Sequence, residues 1–152
     1  MRVQVFAAAL AVVFTGSAIA FAATGTRVQA RADLVVASLS NPPSVVFQGH
    51  TFQVHDVTRN RGVAAGVRTV TQYYLSGNGV REPAGRRSVP RLRPGRSSSG
   101  PGTVLASSSL EVGTYSLVAC ADGGRAVRES NERNNCRTAA TKVAVRKPLP
   151  PV

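Results

Sequence analysis

Tryptophan is absent from this sequence, and the remaining aromatic residues are five Phe and three Tyr. That leaves no aromatic platform on which successive bases could stack, which argues against a nucleic-acid binder. Histidine is nearly absent, with His50 and His55 the only two. No GxSxG or HExxH stretch occurs, so the common hydrolase and zinc-protease constellations are missing. His55 and Asp56 are adjacent in a strand-like run and would point to opposite faces. The chain therefore reads as a non-enzyme. Acidic residues are also few: seven Asp and Glu stand against nineteen Lys and Arg, for a formal charge of +12. Arginine supplies all but two of those cations. Such an excess attracts anionic partners over about 8–10 Å at physiological salt. A second long apolar stretch is missing as well, so nothing beyond the N-terminus is expected to span a bilayer.

What the N-terminus holds is an export pattern. Arg2 supplies a positive start, and Val3 to Val13 run apolar apart from Gln4. Ala18-Ile19-Ala20 and Ala20-Phe21-Ala22 both fit the small-x-small cleavage rule. Cleavage is placed after Ala22, with Ala20 as the second choice. A retained membrane anchor is the alternative, but Thr15, Gly16 and Ser17 break the apolar run and no basic cluster follows closely. The expected organisation is a signal peptide at 1–22, a polar linker at 23–32, one domain at 33–145 and a Pro-rich disordered tail at 146–152. The product is expected to be secreted, periplasmic or at the cell surface. There, Cys120 and Cys136 meet an oxidising compartment and can pair in only one way within the chain. Closing that loop would contribute about 3 kcal/mol. Two free thiols or a metal site are the alternatives; no CxxC spacing supports the metal.

Val, Thr and Ser are abundant, and Gly and Pro punctuate apolar runs of strand length. A first strand opens at Leu34-Val35-Val36 and is stopped by Asn41-Pro42-Pro43, with Val45 to Phe47 a short extension. Thr51 to Asn60 forms the second. Phe52, Val54 and Asp56 share its buried phase, so either a bulge rotates the strand or the Asp56 carboxylate is buried and accepts hydrogen bonds. Thr69 to Leu75 is the third. Val80 to Arg87 reads as an exposed loop or edge, and Ser88 to Leu92 as a short edge strand around Pro90. Gly100-Pro101-Gly102 is expected to break Ser97 to Ala106, leaving a strand in its second half. Thr114 to Ala121 and Arg137 to Val145 complete the set. Tyr115 is either plain core or a tyrosine-corner contact to nearby backbone. The pattern predicts an all-β, immunoglobulin-like antiparallel β-sandwich of seven to eight strands with one disulfide.

Two constellations are candidates for binding. Arg86, Arg87, Arg91, Arg93 and Arg96 lie close together and could form an anion patch for phosphate, sulfate or carboxylate. The plainer alternative is a charged edge strand that blocks edge-to-edge pairing. In the loop from Asp122 to Asn135, Asp122, Glu129, Asn131, Glu132, Asn134 and Asn135 offer oxygens that Ca²⁺ would accept. The plainer alternative is turn chemistry, with Glu129 and Glu132 pairing to Arg125, Arg128 or Arg133. No other cofactor is expected.

Five segments in order then resemble one known family. They are Ala32-Asp33-Leu34-Val35-Val36; Thr58-Arg59-Asn60-Arg61-Gly62 with Ala64-Ala65; Val89 to Gly95 leading into Ser97-Ser98-Ser99-Gly100; Gly113-Thr114-Tyr115-Ser116-Leu117; and Asp122 with Val127 to Asn135. Together they resemble the CARDB domain, named for cell-adhesion-related domains found in bacteria, over about Asp33 to Val145. The resemblance implies an immunoglobulin-like sandwich on exported or surface proteins, with an adhesion or binding role and no catalytic residues. The expected partner is a protein or an anionic envelope polymer, with the domain a monomer. A structural spacer or accessory subunit without its own ligand is the alternative.

Overall fold

The computed structural model describes residues 29–150. The expected signal peptide and its cleavage site lie outside these residues. Eight strands follow in order: β1 Leu34–Leu39, β2 Val45–Phe47, β3 Thr51–Asn60, β4 Thr69–Gly77, β5 Val80–Val89, β6 Ser97–Leu105, β7 Gly113–Cys120 and β8 Cys136–Arg146. They form two sheets, ordered β1-β3-β6 and β2-β8-β7-β4-β5. The period-2 patterning decides which side chains meet between them. Along β4, Thr69, Thr71, Tyr73 and Leu75 are buried while the residues between them are half-buried. Along β7, Tyr115, Leu117 and Ala119 point into the same core. Val54 and Val104 of the smaller sheet pack against them. This is the expected all-β sandwich, with one difference: β2 pairs with β8 in parallel.

That difference corrects the first boundary. Val45 to Phe47 does not extend β1 but crosses to the other sheet. Asn41 carries the crossing, because its Oδ1 accepts from the backbone N–H of Ala140 and Thr141 at the β8 edge, 3.1 and 3.2 Å away.

β5 is a second correction. It runs as one strand through Arg87 and ends before Pro90, whereas the sequence divides this region at Ser88. Pro83 is tolerated because β5 is a sheet edge. A register shift opposite Tyr73 and Tyr74 absorbs one residue of β5. Gly85 takes φ +148° there, and a Cβ on it would strike the Thr103 carbonyl of β6. The glycine thus lets the two sheets close on each other.

The third correction is β6, which is continuous through Gly100-Pro101-Gly102. Ala106 N–H to His50 C=O and Asn60 N–H to Arg96 C=O set the phase of its ladder with β3. In that phase Pro101, opposite His55, turns its nitrogen to the free edge and costs no ladder bond. Gly102 faces inward, where a Cβ would collide with the Tyr73 ring and hydroxyl. A triplet that reads as a break is the place where the sheet makes room for a neighbour.

Cys120 and Cys136 sit directly opposite each other on β7 and β8 and form the disulfide. Tyr115 forms the corner contact: its hydroxyl donates to the Glu111 carbonyl at 2.9 Å. Both features predict measurable costs in urea unfolding. Tyr115→Phe should lose about 1 kcal/mol, the worth of one buried hydrogen bond. Gly102→Ala should lose more, about 1–3 kcal/mol, because the added methyl overpacks against Tyr73.

Candidate functional site

The structure divides the arginine-rich stretch between three environments. Arg87 shares its phase on β5 with the buried Val89 and turns into the sandwich. Arg86 turns to the outer face of the larger sheet and is exposed. Arg91, Arg93 and Arg96 are exposed on the β5–β6 connection, which is not a strand, while Leu92 between them is buried. The Leu92 carbonyl is held by the Gly66 N–H and the Asn60 side chain.

Inside, Arg87 meets Asp56 of β3 in a two-pronged ion pair. Nε donates to Oδ2 at 2.7 Å and Nη2 to Oδ1 at 2.6 Å. The Asp56 side chain is fully buried and the Arg87 side chain 10% exposed. Tyr73 donates to Asp56 Oδ2 at 2.5 Å, and Thr58 donates to Oδ1 at 3.2 Å. Thr71 lies 2.6 Å from the Thr58 hydroxyl. The remaining guanidinium N–H groups reach Ser98 Oγ, the Ser98 carbonyl and the Ser88 carbonyl. Every acceptor site of the carboxylate and every donor of the guanidinium is thereby used. Burial, then the bond to Asp56, raises the Tyr73 pKa well above its ordinary value. Arg87 is pushed up by its bonds to Asp56. Of the two alternatives for Asp56, the buried carboxylate is the observed one. The sequence reading placed its cation, Arg87, in the exposed patch; the alternation of Arg87 with Val89 along β5 is the signal that points inward instead.

The Asp122 to Asn135 loop is held by its own acidic side chains. Asp122 is buried and accepts from the Thr69 hydroxyl and the N–H groups of Ala126 and Val127. Glu129 is buried and accepts from the Leu34 N–H and from Asn135 Nδ2. Glu132 accepts from the Glu129 N–H, and Asn131 from the Arg133 N–H. Asn134 donates to Asp33 Oδ1 at 2.9 Å. None of these carboxylates pairs with Arg125, Arg128 or Arg133. The Arg87–Asp56 contact is the one salt bridge among the described residues. No group of three or more His, Cys, Asp or Glu suited to a metal ion occurs among them either.

These loops gather at one end of the sandwich. The end of β3 pairs with the starts of β1 and β6, and the start of β4 with the end of β5. Hydrogen bonds tie β3 to the β5–β6 connection and β1 to the Asp122–Asn135 loop. Arg31, Arg61, Arg68, Arg91, Arg93 and Arg96 lie here, together with Arg125, Arg128 and Arg133. The loops of the other end, at 40–44, 48–50, 78–79 and 106–112, carry no Lys or Arg. The loop arginines are therefore gathered at one end of the domain.

The CARDB family model matches residues 31–139. This chain belongs to the CARDB family. No curated protein matches the sequence. Among solved structures, the chain is similar to the CARDB domain of a Pyrococcus furiosus protein in complex with di-metal ions. Identity is 24% and the TM-score 0.52, over 76% of this chain and 94% of that one. A domain of a protein assigned to the cell surface of Methanosarcina acetivorans matches at 23% identity and TM-score 0.52, over 76% and 92%. A β-glucosidase from Erythrobacter marinus matches at 16% identity and TM-score 0.52, over 75% of this chain but 15% of its own. At these identities the likeness shows the fold, and a shared fold transfers no activity. No helix among the described residues is long and apolar enough to cross a membrane.

Two outcomes test this geometry. Arg87→Met should destabilise the domain by about 3–5 kcal/mol, because it leaves the Asp56 charge buried and alone. Combining it with Asp56→Leu should recover much of that loss, and strictly additive costs would count against a coupled pair. The second outcome concerns pH. Burial, aided by the charges of Glu132 and Asp122, lifts the Glu129 pKa from its ordinary 4.5 to about 7, against the pull of its Leu34 and Asn135 bonds. The folded state thus holds this proton more tightly than the unfolded state. The contribution is full below about pH 4.5 and is lost as pH rises through about 7. Melting temperature measured from pH 5 to 8 should therefore fall in the natural chain relative to Glu129→Gln, which lacks this titration.

Proposed function

We propose that this CARDB domain is an exported, non-catalytic binding module that docks onto anionic polymers of the cell envelope through its arginine-rich end. The observation that carries this reading is the fate of the arginines. One is consumed in the core, whereas those of the loop end are exposed or half-buried and join no ion pair among the described residues. Two of the four carboxylates at that end, Asp122 and Glu129, are buried and accept hydrogen bonds from the chain itself. They do little to quench the surface charge. Guanidinium groups held on cross-bonded loops can fork onto carboxylate, sulfate or phosphate. The Asp122–Asn135 loop acts in this reading as the brace that presents arginines, not as a calcium site.

An export signal at 1–22 and the cell-surface setting of a structural relative support placement outside the cytoplasm. The described residues hold no recognition helix, and the sequence has few aromatics, which turns the charge away from nucleic acid.

Salt-gradient elution from immobilised heparin tests the docking. Arg91→Glu with Arg93→Glu should elute at clearly lower salt than the natural chain, since each lost contact reduces the salt dependence by about one counterion. Unchanged elution would exclude the β5–β6 arginines from the docking surface, and failure of the natural chain to be retained at all would return the domain to the role of a spacer.

A further inference from the structure

The geometry points to a groove on the open side of the sandwich as a binding site for an acidic polysaccharide, its sugar carboxylates or sulfates held by Arg59, Arg61 and Arg137. This deepens the proposed docking function and rests on it, but it uses none of the arginines that the sequence singled out.

The groove exists because of how the two sheets end. β1 is the outer strand of the smaller sheet. Across from it, β8 is covered by β2 only along Ala144–Arg146, so its first residues form an open margin. Between these margins lies a depression of about 370 Å³, lined by Val35, Val36, Ala37, Arg59, Arg61, Asn134, Cys136 and Arg137. That volume falls at the small end of ligand sites, about 300–1,000 Å³. The three arginines come from three different segments: a central strand, the β3–β4 connection and the start of β8. All three are exposed, and no carboxylate lines the groove. A fixed floor holds them. Cys136 is tied to Cys120, Asn134 to Asp33, and the Arg61 N–H to the Asp33 carbonyl. Anion recognition there needs little further ordering, which favours affinity.

The chemistry of the occupant follows from three features. Three unpaired guanidiniums call for planar or tetrahedral anionic groups. Asn134 adds a buried Oδ1 with no hydrogen-bond partner, an acceptor that lacks a donor. A sugar ring brings hydroxyl donors beside its acidic group and can answer both needs. An extended acidic peptide is the rival, since it could add to the β1 edge as a further strand. The register of β1 shifts between Val36 and Ser38, in the middle of the groove, and such a bulge interrupts the regular edge that strand addition requires.

Calorimetry with oligogalacturonate on the purified chain is the test, with polyglutamate of equal charge as the peptide arm. The natural chain should bind the sugar more tightly than the peptide. Replacing Arg59, Arg61 and Arg137 together by Gln should weaken sugar binding by at least about tenfold, while Arg91, Arg93 and Arg96 to Gln should change it far less. Thermal melting checks that both variants fold. If the groove variant does not fold, backbone amide shifts of the natural chain replace it: oligogalacturonate should move Val35, Val36 and Ala37 and the Asn134 side-chain amide. Equal weakening by both triple variants, equal binding of polyglutamate, or shifts confined to the β5–β6 connection would overturn the groove while leaving the docking function in place. Absence of binding to oligogalacturonate and to heparin alike would overturn both.

Discussion

The buried pair of Asp56 and Arg87 is the constraint around which the sandwich is arranged. A carboxylate on the inward phase of β3 is tolerable only if every acceptor site is answered. The answer comes from the facing sheet, with Arg87 on β5 and Tyr73 on β4. Those side chains need space, and the inward glycines of β6 supply it: Gly102 beside Tyr73 and Gly100 beside Arg87. The pair therefore links the two sheets, sets which β6 residues can be large, and places β5 in register against the core. Apolar packing alone would hold two sheets together, but a saturated ion pair admits far fewer relative positions.

Much of this was legible from residue phase. The alternation along β4 and β7 located the core, and Asp56 stood out as the polar residue in a buried position. Tyr115 after Gly113 suggested the corner, and two cysteines behind an expected export signal suggested the disulfide. What was not legible depended on pairing across distance. Gly100-Pro101-Gly102 looks like a break unless β6 is known to be an edge strand whose proline nitrogen faces outward. Val45 to Phe47 looks like a continuation of β1 because local sequence carries no mark of which sheet a short strand joins. Arg59, Arg61 and Arg137 are spread over a long stretch of chain. Only the approach of β1 to the open margin of β8 brings them to one groove.

The same residue type serves opposite purposes here. Arg87 is desolvated and fully partnered, whereas Arg91, Arg93 and Arg96 are exposed and, in the proposed docking, left to meet an anion. Burial, not sequence neighbourhood, separates them, so a cluster read as one patch is two things. The acidic residues divide in a similar way. Asp122 and Glu129 work as internal acceptors that shape a loop, which leaves the surface field of that end dominated by cations.

The parallel contact between β2 and β8 joins segments about a hundred residues apart, and the Asn41 side chain bonds Ala140 and Thr141 across separations of 99 and 100. Closure of the larger sheet must therefore wait for the last strand, because β2 has no other partner in it. Chains with such long-range pairing fold slowly compared with those built from local contacts. During synthesis the early strands would be held open, without a finished core or the Cys120–Cys136 bond. A chain that completes itself only at its final strand stays threadable until then, a kinetic property that the proposed export through a narrow pore would use.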